Sequence, residues 1–289
     1  MLPNIFAVIV TFNPEKDMLM RQFFSLKDQV SGFIYVNNSS IDHIKPEFEP
    51  FKNIIFIDNK KNEGLGKAQN QGIITAKDIG ASHILLMDQD SIANPNMVNH
   101  LFETEHKYSQ EGKKVGLVGP LIIDILSNPI KKSGAIIFDG FKIKRIEPET
   151  EILSVSYCLA SGSLFSVNSL EEVGLINEQL FIDGLDLEWC QRAKQKGYEI
   201  LLDPKGVLEH ECGNGIEDRI LSHSAFREYY ICRNNIILSK TSYITKGYRV
   251  RMFFTTVFRL CTSFFKGYKE HFKAGRKGFM EGIKSKGLG

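Results

Sequence analysis

The 289-residue chain lacks the features that staple a small secreted domain. Its five cysteines (158, 190, 212, 232 and 261) are scattered, odd in number and contain no CxxC pair. That excludes a disulfide framework and a thiolate zinc site, and it predicts reduced thiols in a cytoplasmic protein. The opening "MLPNIFAVIVTFNP" has neither a basic n-region nor a small-residue cleavage site, so no signal peptide is expected there. The longest weakly charged run of the tail, "MFFTTVFRLCTSFF", contains an arginine and is too short to span a bilayer. No internal repeat, low-complexity tract or nucleic-acid-reading motif is present, so nucleic acid is not an expected partner.

What remains is an ordinary globular composition. With 43% hydrophobic and 24% charged residues, the chain builds a full core and general disorder is not expected. The net charge of +2 conceals an asymmetry: residues 240–289 hold 12 Lys/Arg against 2 Asp/Glu, so everything before them is net acidic. The tail is therefore a separate physical object from the rest.

Hydrophobic patterning supplies the architecture. "IFAVIVT" (5–11), "GFIYVNNSS" (32–40), "NIIFIDN" (53–59) and "HILLMD" (83–88) read as strands, the first and last buried on both faces. Pro14 is placed to open a helix after the first strand, and "KKNEGLGKAQNQGIITAKDIG" (60–80) reads as a Gly-bearing loop feeding a helix. Strands alternating with helices predict a parallel sheet with right-handed crossovers, and ligands in such sheets bind beyond the carboxyl ends of the strands. Thr11, Asn37, Asn38, Asn62, Asp88 and Asp90 all sit at such ends. Residues 132–168 hold shorter segments that predict smaller mixed strands, and "DLEWCQRAKQKG" (186–197) and "AFREYYICRNNIILSK" (225–240) predict helices.

The run Ile84-Leu85-Leu86-Met87 ends in two carboxylates, Asp88 and Asp90, separated by Gln89 alone. Carboxylates so close repel unless a cation, a donor or water compensates them. A solvated turn is the plainer account of such a pair, because Asp is common where strands stop.

Four segments in order, "VIVTFNP", "NEGLGKAQNQGI", "LLMDQDS" and "FIDGLDLEWCQRAKQKGY", resemble the family 2 glycosyltransferases. These are inverting enzymes of GT-A fold that use nucleotide-sugars. "LEHECGN" and "REYYICRNNI" are similar to the bacterial rhamnosyltransferase branch, which builds surface polysaccharides such as O-antigen. The resemblance covers roughly residues 3–240. It implies a GT-A-type, Rossmann-like α/β fold with a mostly parallel sheet and flanking helices. A nucleotide-sugar-binding half (about 1–125) would precede a smaller mixed acceptor-binding half (about 126–240), with a helical tail over 241–289.

The same resemblance implies a site. Asp88-Gln89-Asp90 matches the DxD motif, so Asp90 would touch Mg²⁺ or Mn²⁺ while Asp88 faces the ribose or the metal shell; His210 would reach the metal or the diphosphate. Thr11, Asn13, Asn38 and the stretch Asn62 to Asn70 would line base and ribose. Gly64, Gly66 and Ala68 would let the backbone approach the ligand. Many relatives carry Asp at the position of Asn37. The catalytic base would be Asp186, with Asp183 as second candidate because Leu185 stands where relatives carry Glu. Arg227 and Arg233 would grip the diphosphate, and Ser161, Gly162 and Trp189 would shape the acceptor pocket. The implied donor is a nucleotide-sugar, dTDP-L-rhamnose foremost. The implied acceptor is a hydroxyl of a polysaccharide or lipid-linked oligosaccharide. A sugar-nucleotide pyrophosphorylase and a non-catalytic sugar-nucleotide-binding scaffold are the rival readings.

In the tail, Phe253, Val257, Leu260, Phe264, Tyr268 and Phe272 recur at helical spacing among Arg and Lys. Such a basic amphipathic segment suits the inner face of the cytoplasmic membrane. Packing against the core, or a homodimer surface, would use the same pattern.

Overall fold

The computed structural model describes residues 3–40, 48, 51–125, 131–132, 134–210, 220 and 223–288. Four parallel strands begin it: β1 (Ile5–Thr11), β2 (Gly32–Asn37), β3 (Ile54–Asp58) and β4 (His83–Asp88). Helix α1 (Lys16–Leu26) follows β1, and α2 (Leu65–Asp78) follows β3. Next come β5 (Ser91–Ala93), α3 (Met97–Gln110) and the long β6 (Val115–Asp124). Short strands succeed them: β7 (Lys131–Lys132), the hairpin β8 (Ala135–Asp139) and β9 (Lys142–Ile146), then β10 (Leu153–Ser154) and β11 (Leu164–Ser166). The chain continues with α4 (Val167–Val173), a 3-10 turn (Glu178–Leu180), α5 (Leu185–Gln195), β12 (Glu199–His210), α6 (Ala225–Ser239), α7 (Lys246–Phe265) and α8 (Lys269–Lys284).

The main sheet runs β10-β12-β6-β11-β4-β1-β2-β3, with β5 added beside β12 and β7 beside β6. Strand β11 is antiparallel to both neighbours, which makes the sheet mixed in its second half as the sequence predicts. Alternate residues of β1 feed opposite faces. Ala7 and Ile9 pack with α1 and α3, and Val8 packs with α2 and α5. Two apolar layers therefore clamp the sheet, so its carboxyl ends are the natural place for polar chemistry.

The first strand has the predicted limits. Strand β2 stops at Asn37, because Asn38 and Ser39 turn away to make polar contacts. Helix α2 starts at Leu65, since Gly64 (φ +92°) breaks the regular backbone before it. Helix α3 is not foreshadowed by the patterning above.

The tail packs tightly on the rest. Helix α8 lies against α6 through Gly275, Gly278 and Gly282, and a Cβ at Gly278 would sit 2.1 Å from the Tyr229 carbonyl oxygen. A buried ion pair joins α6 to α7, from Glu228 to Arg259. Because no rotamer relieves a clash with backbone, Gly278→Ala should lower stability by ~1–3 kcal/mol despite alanine's better helix propensity. Urea unfolding of the two proteins checks this through the denaturation midpoint.

Candidate active site

The polar cluster at the end of β4 is built by several elements. Gln22, wholly buried on α1, donates Nε2 to the carbonyls of Asp88 and, at 3.1 Å, of Ser91. Gln89 clamps the loop after β1, accepting from the Phe12 amide at 2.7 Å. The spacer between the two carboxylates thus fixes the turn while both acids point elsewhere. Ser161 Oγ accepts from the Asp88 amide at 3.1 Å and meets Ser91 Oγ at 3.0 Å, and Ser91 Oγ meets His210 Nδ1 at 2.8 Å. This chain of hydroxyls ties β4, the 158–163 loop and the end of β12 together.

Asp88, Asp90 and His210 offer ligand atoms all within 4.8 Å of one another. His210 Nδ1 lies 3.5 Å from Asp90 Oδ1. Burial, then the charge of Asp90, pushes the Asp88 carboxyl above the ordinary carboxylate range. Two carboxylates and an imidazole in such crowding form a donor set suited to a divalent cation, which relieves the repulsion. The residues present therefore fit Mg²⁺ or Mn²⁺. The rest of the "HECG" element beyond His210 lies outside the described residues.

A cavity of about 610 Å³ opens beside this cluster, walled by Asp88, Ser161, Asp183, Asp186, His210 and Arg227, among others. It is Asp88, not Asp90, that lines the wall shared with Asp186; Asp90 joins through the cluster. The two candidate bases differ sharply. Asp183 (φ +64°) is held bidentately by Arg227, with contacts of 2.8–3.2 Å. Asp186 opens the first turn of α5 and accepts backbone N–H groups from Ala160 and its own residue. Burial, then the charge of Asp88, raises its carboxyl to about 7. Asn234 orients this segment, donating Nδ2 to the carbonyls of Leu180, Ile182 and Asp183 at 2.7–2.9 Å.

The nucleotide-side residues form a second polar patch at the ends of β1, β2 and β3. Asn38 donates to Asn62 Oδ1 at 3.1 Å and accepts from Asn59 and from the Glu63 amide. The Asn13 amide donates to Ser39 Oγ at 2.9 Å. Asn37 donates to Asp58 Oδ1 at 3.2 Å, so an acid does stand beside it, contributed by the next strand. Thr11 is wholly buried and its Oγ1 finds no protein partner among the described residues.

Several expectations require correction. Trp189 is no acceptor platform: it is wholly buried, edge-on to Phe165, and donates Nε1 to the Gly174 carbonyl at 2.8 Å. Arg233 is spent on the Gln179 carbonyl, Asn234 and Glu281, away from the cavity. Gly64 and Gly66 are small because Phe181 and Leu185 press on them, and Ala68 is core. Asn70 is a buried strut between α2 and Ile176 with Glu178. Gly162 (φ +77°) packs on Pro120 and Leu208, so its neighbour Ser161 alone of that pair reaches the cavity. Conversely, sequence reasoning passed over Gln22 and Ser91. Gln69, within the stretch from Asn62 to Asn70, lines the cavity with an unpartnered buried Oε1.

Comparison with known proteins identifies the family and the fold. The family described as "Glycosyl transferase family 2" matches residues 6–174. The chain is 32% identical over 253 residues to a protein named dTDP-rhamnosyl transferase RfbF from Shigella flexneri, covering 83% of this chain and 81% of the relative. It is 22% identical to a Haloferax volcanii protein named low-salt glycan biosynthesis hexosyltransferase Agl10, covering 83% and 77%. Among solved structures, GalNAc-T7 with UDP, GalNAc and Mn²⁺ aligns with TM-score 0.58 at 16% identity, over 81% of this chain and 51% of that one. S. aureus TarS residues 1–349 with UDP-GlcNAc aligns with TM-score 0.56 at 13% identity, over 86% and 70%. At those identities the structures establish the GT-A fold alone.

The raised Asp186 carboxyl has a consequence for stability. Its stabilising contribution is complete below about pH 4 and is lost as pH rises through about 7, because the fold prefers the protonated acid. Asp186→Asn, which mimics that neutral form, should unfold at a higher temperature than the parent at pH 8 in EDTA. The gap has an upper bound of ~4 kcal/mol, reduced by water in the cavity; it should narrow as pH falls below 7 and close by about pH 4. Thermal unfolding at the two pH values reads it directly.

Proposed function

The chain belongs to glycosyltransferase family 2, and from that premise we propose that it is an inverting rhamnosyltransferase using dTDP-L-rhamnose. The acceptor is a hydroxyl of a polysaccharide or lipid-linked oligosaccharide, met at the inner face of the cytoplasmic membrane. One observation carries the mechanism: Asp186, with its raised carboxyl, lines the same cavity as Asp88 and His210 of the Asp88–Asp90–His210 cluster. The kinship to a protein named for dTDP-rhamnosyl transfer supports the donor.

Inverting transfer is one displacement. The acceptor hydroxyl attacks the anomeric carbon opposite the departing nucleoside diphosphate, and a carboxylate takes the hydroxyl proton as the new bond forms. Asp186 suits this role: a carboxyl near 7 is a stronger base than an ordinary aspartate, yet ionises at working pH. Asp183 does not, since Arg227 holds both of its oxygens. That ion pair instead sets the Arg227 guanidinium at the cavity wall, where its charge favours a diphosphate. Asp88, Asp90 and His210 would hold Mg²⁺ or Mn²⁺, which when bound neutralises the departing diphosphate. The Asn38–Asn62 patch and the orphan Thr11 hydroxyl supply the donors and acceptors for base and ribose.

Turnover tests the reading. Purified protein with Mn²⁺, a panel of dTDP- and UDP-sugars and a lipid-linked acceptor should yield product from dTDP-L-rhamnose, detected by mass spectrometry. Strong preference for a UDP-sugar would overturn the donor assignment. Asp186→Asn should reduce kcat roughly 10²–10⁴-fold, and undiminished turnover would remove it as base. Asp90→Ala, or a chelator added to the parent protein, should suppress turnover, with excess Mn²⁺ restoring only the chelated parent.

A further inference from the structure

Helix α7 presents three faces at 100° per residue, and each meets something different. The first carries Tyr248, Met252, Thr256, Arg259 and Ser263, and it turns inward. Tyr248 and Met252 wall the catalytic cavity, with Tyr248 stacked on Phe138 of the β8–β9 hairpin (centroids 4.2 Å, 18°). The second face, with Phe253, Val257, Leu260 and Phe264, is the stripe singled out in the sequence, and it meets α8: Phe253 pairs with Phe279, Phe264 with Phe272, and Leu260 crowds Gly275. The third face carries Val250, Phe254, Phe258, Cys261 and Phe265 at successive turns. It is roughly opposite Tyr248, and it is open to solvent: 45% exposed at Val250, 63% at Phe254, 71% at Phe258 and 83% at Phe265.

We propose that this outer stripe of α7 docks the enzyme on an anionic lipid surface and thereby holds the cavity that Tyr248 and Met252 wall about one helix diameter from a lipid-borne acceptor. The proposal rests on the glycosyltransferase reading for its acceptor, but the docking itself does not. Four large apolar side chains on one exposed stripe are costly in water and suit the boundary between lipid headgroups and acyl chains. The helix lies on such a boundary rather than crossing it, because none of the described helices is long and apolar enough to span a membrane.

Charge selects lipid over a second copy of the chain. Every charged residue of α7 is basic, and exposed Lys246 and Arg251 flank the stripe on its two sides. Across residues 240–289 the count is 12 basic to 2 acidic. A twofold interface between copies would bring these like charges face to face, whereas anionic headgroups neutralise them.

The inner and outer faces belong to one rigid helix fixed by the Glu228–Arg259 ion pair, so a lipid surface under the stripe has a set relation to the cavity. Tyr248 and Met252, together with Tyr157, contribute to the apolar part of that cavity wall, a lining suited to the acceptor end of a lipid-linked glycan.

The test uses the full chain and a Phe254→Ser/Phe258→Ser/Phe265→Ser variant, whose changes are at exposed positions and should leave thermal unfolding unaltered. Vesicles of phosphatidylcholine alone and of phosphatidylcholine with phosphatidylglycerol are floated with each protein. The parent should float with the anionic vesicles, less so at high salt, and the variant should bind at least ten-fold more weakly. Transfer to a water-soluble acceptor should be equal for both, while transfer to a vesicle-borne acceptor should fall with the variant. Equal flotation of parent and variant, or none by the parent, overturns the proposal. So does a parent dimer in solution that the variant turns to monomer, since the stripe would then join two copies. Failure of transfer to every acceptor with flotation intact would count against the transferase reading and leave the docking surface standing.

Discussion

Carboxylate crowding governs this molecule. Strand β4 delivers Asp88 to a position where burial, and then the charge of Asp90, raises its cost of ionisation, and Asp88 in turn raises that of the buried Asp186. Such an arrangement is unfavourable for folding alone, and it persists because the surrounding structure holds it. Gln22 fixes the turn from below, Gln89 clamps it sideways, and the Ser161–Ser91–His210 hydroxyl chain links it to the opposite half of the sheet. The repulsion is then available to be relieved by a cation or a proton.

The two carboxylates near the cavity mouth show how environment assigns roles. Asp183 and Asp186 are three residues apart and chemically identical, yet one is captured by a guanidinium and the other meets backbone donors and the like charges of Asp88 and Asp183. The first becomes a fixed anchor for Arg227. The second becomes a group that exchanges a proton near neutrality. Nothing in "FIDGLD" alone distinguishes them.

The C-terminal helices pack into the body that forms the cavity, although their charge sets them apart from it. Glycines of α8 allow backbone contact with α6, which in turn carries Arg227 and Asn234 to the cavity. Tyr248 and Met252 of α7 then close its wall. A segment that looks in sequence like an appended anchor is, in space, one side of the cavity.

The sequence by itself determined the parallel sheet, since doubly buried strands must read as apolar runs such as "IFAVIVT" and "HILLMD". It also determined which polar residues stand at the strand ends, because a chain leaving a buried sheet has to become polar there. It could not decide which way a side chain on a helix or loop would face. Trp189, Arg233 and Asn70 suited a ligand as well as they suited a partner in the fold, and only packing turned them away from the cavity. On α7 the stripes beginning at Val250 and at Phe253 have the same helical period, so periodicity gives no preference between them. The close approach of α8 decided it, partly covering Phe253, Val257 and Leu260 of one stripe and leaving the other in water.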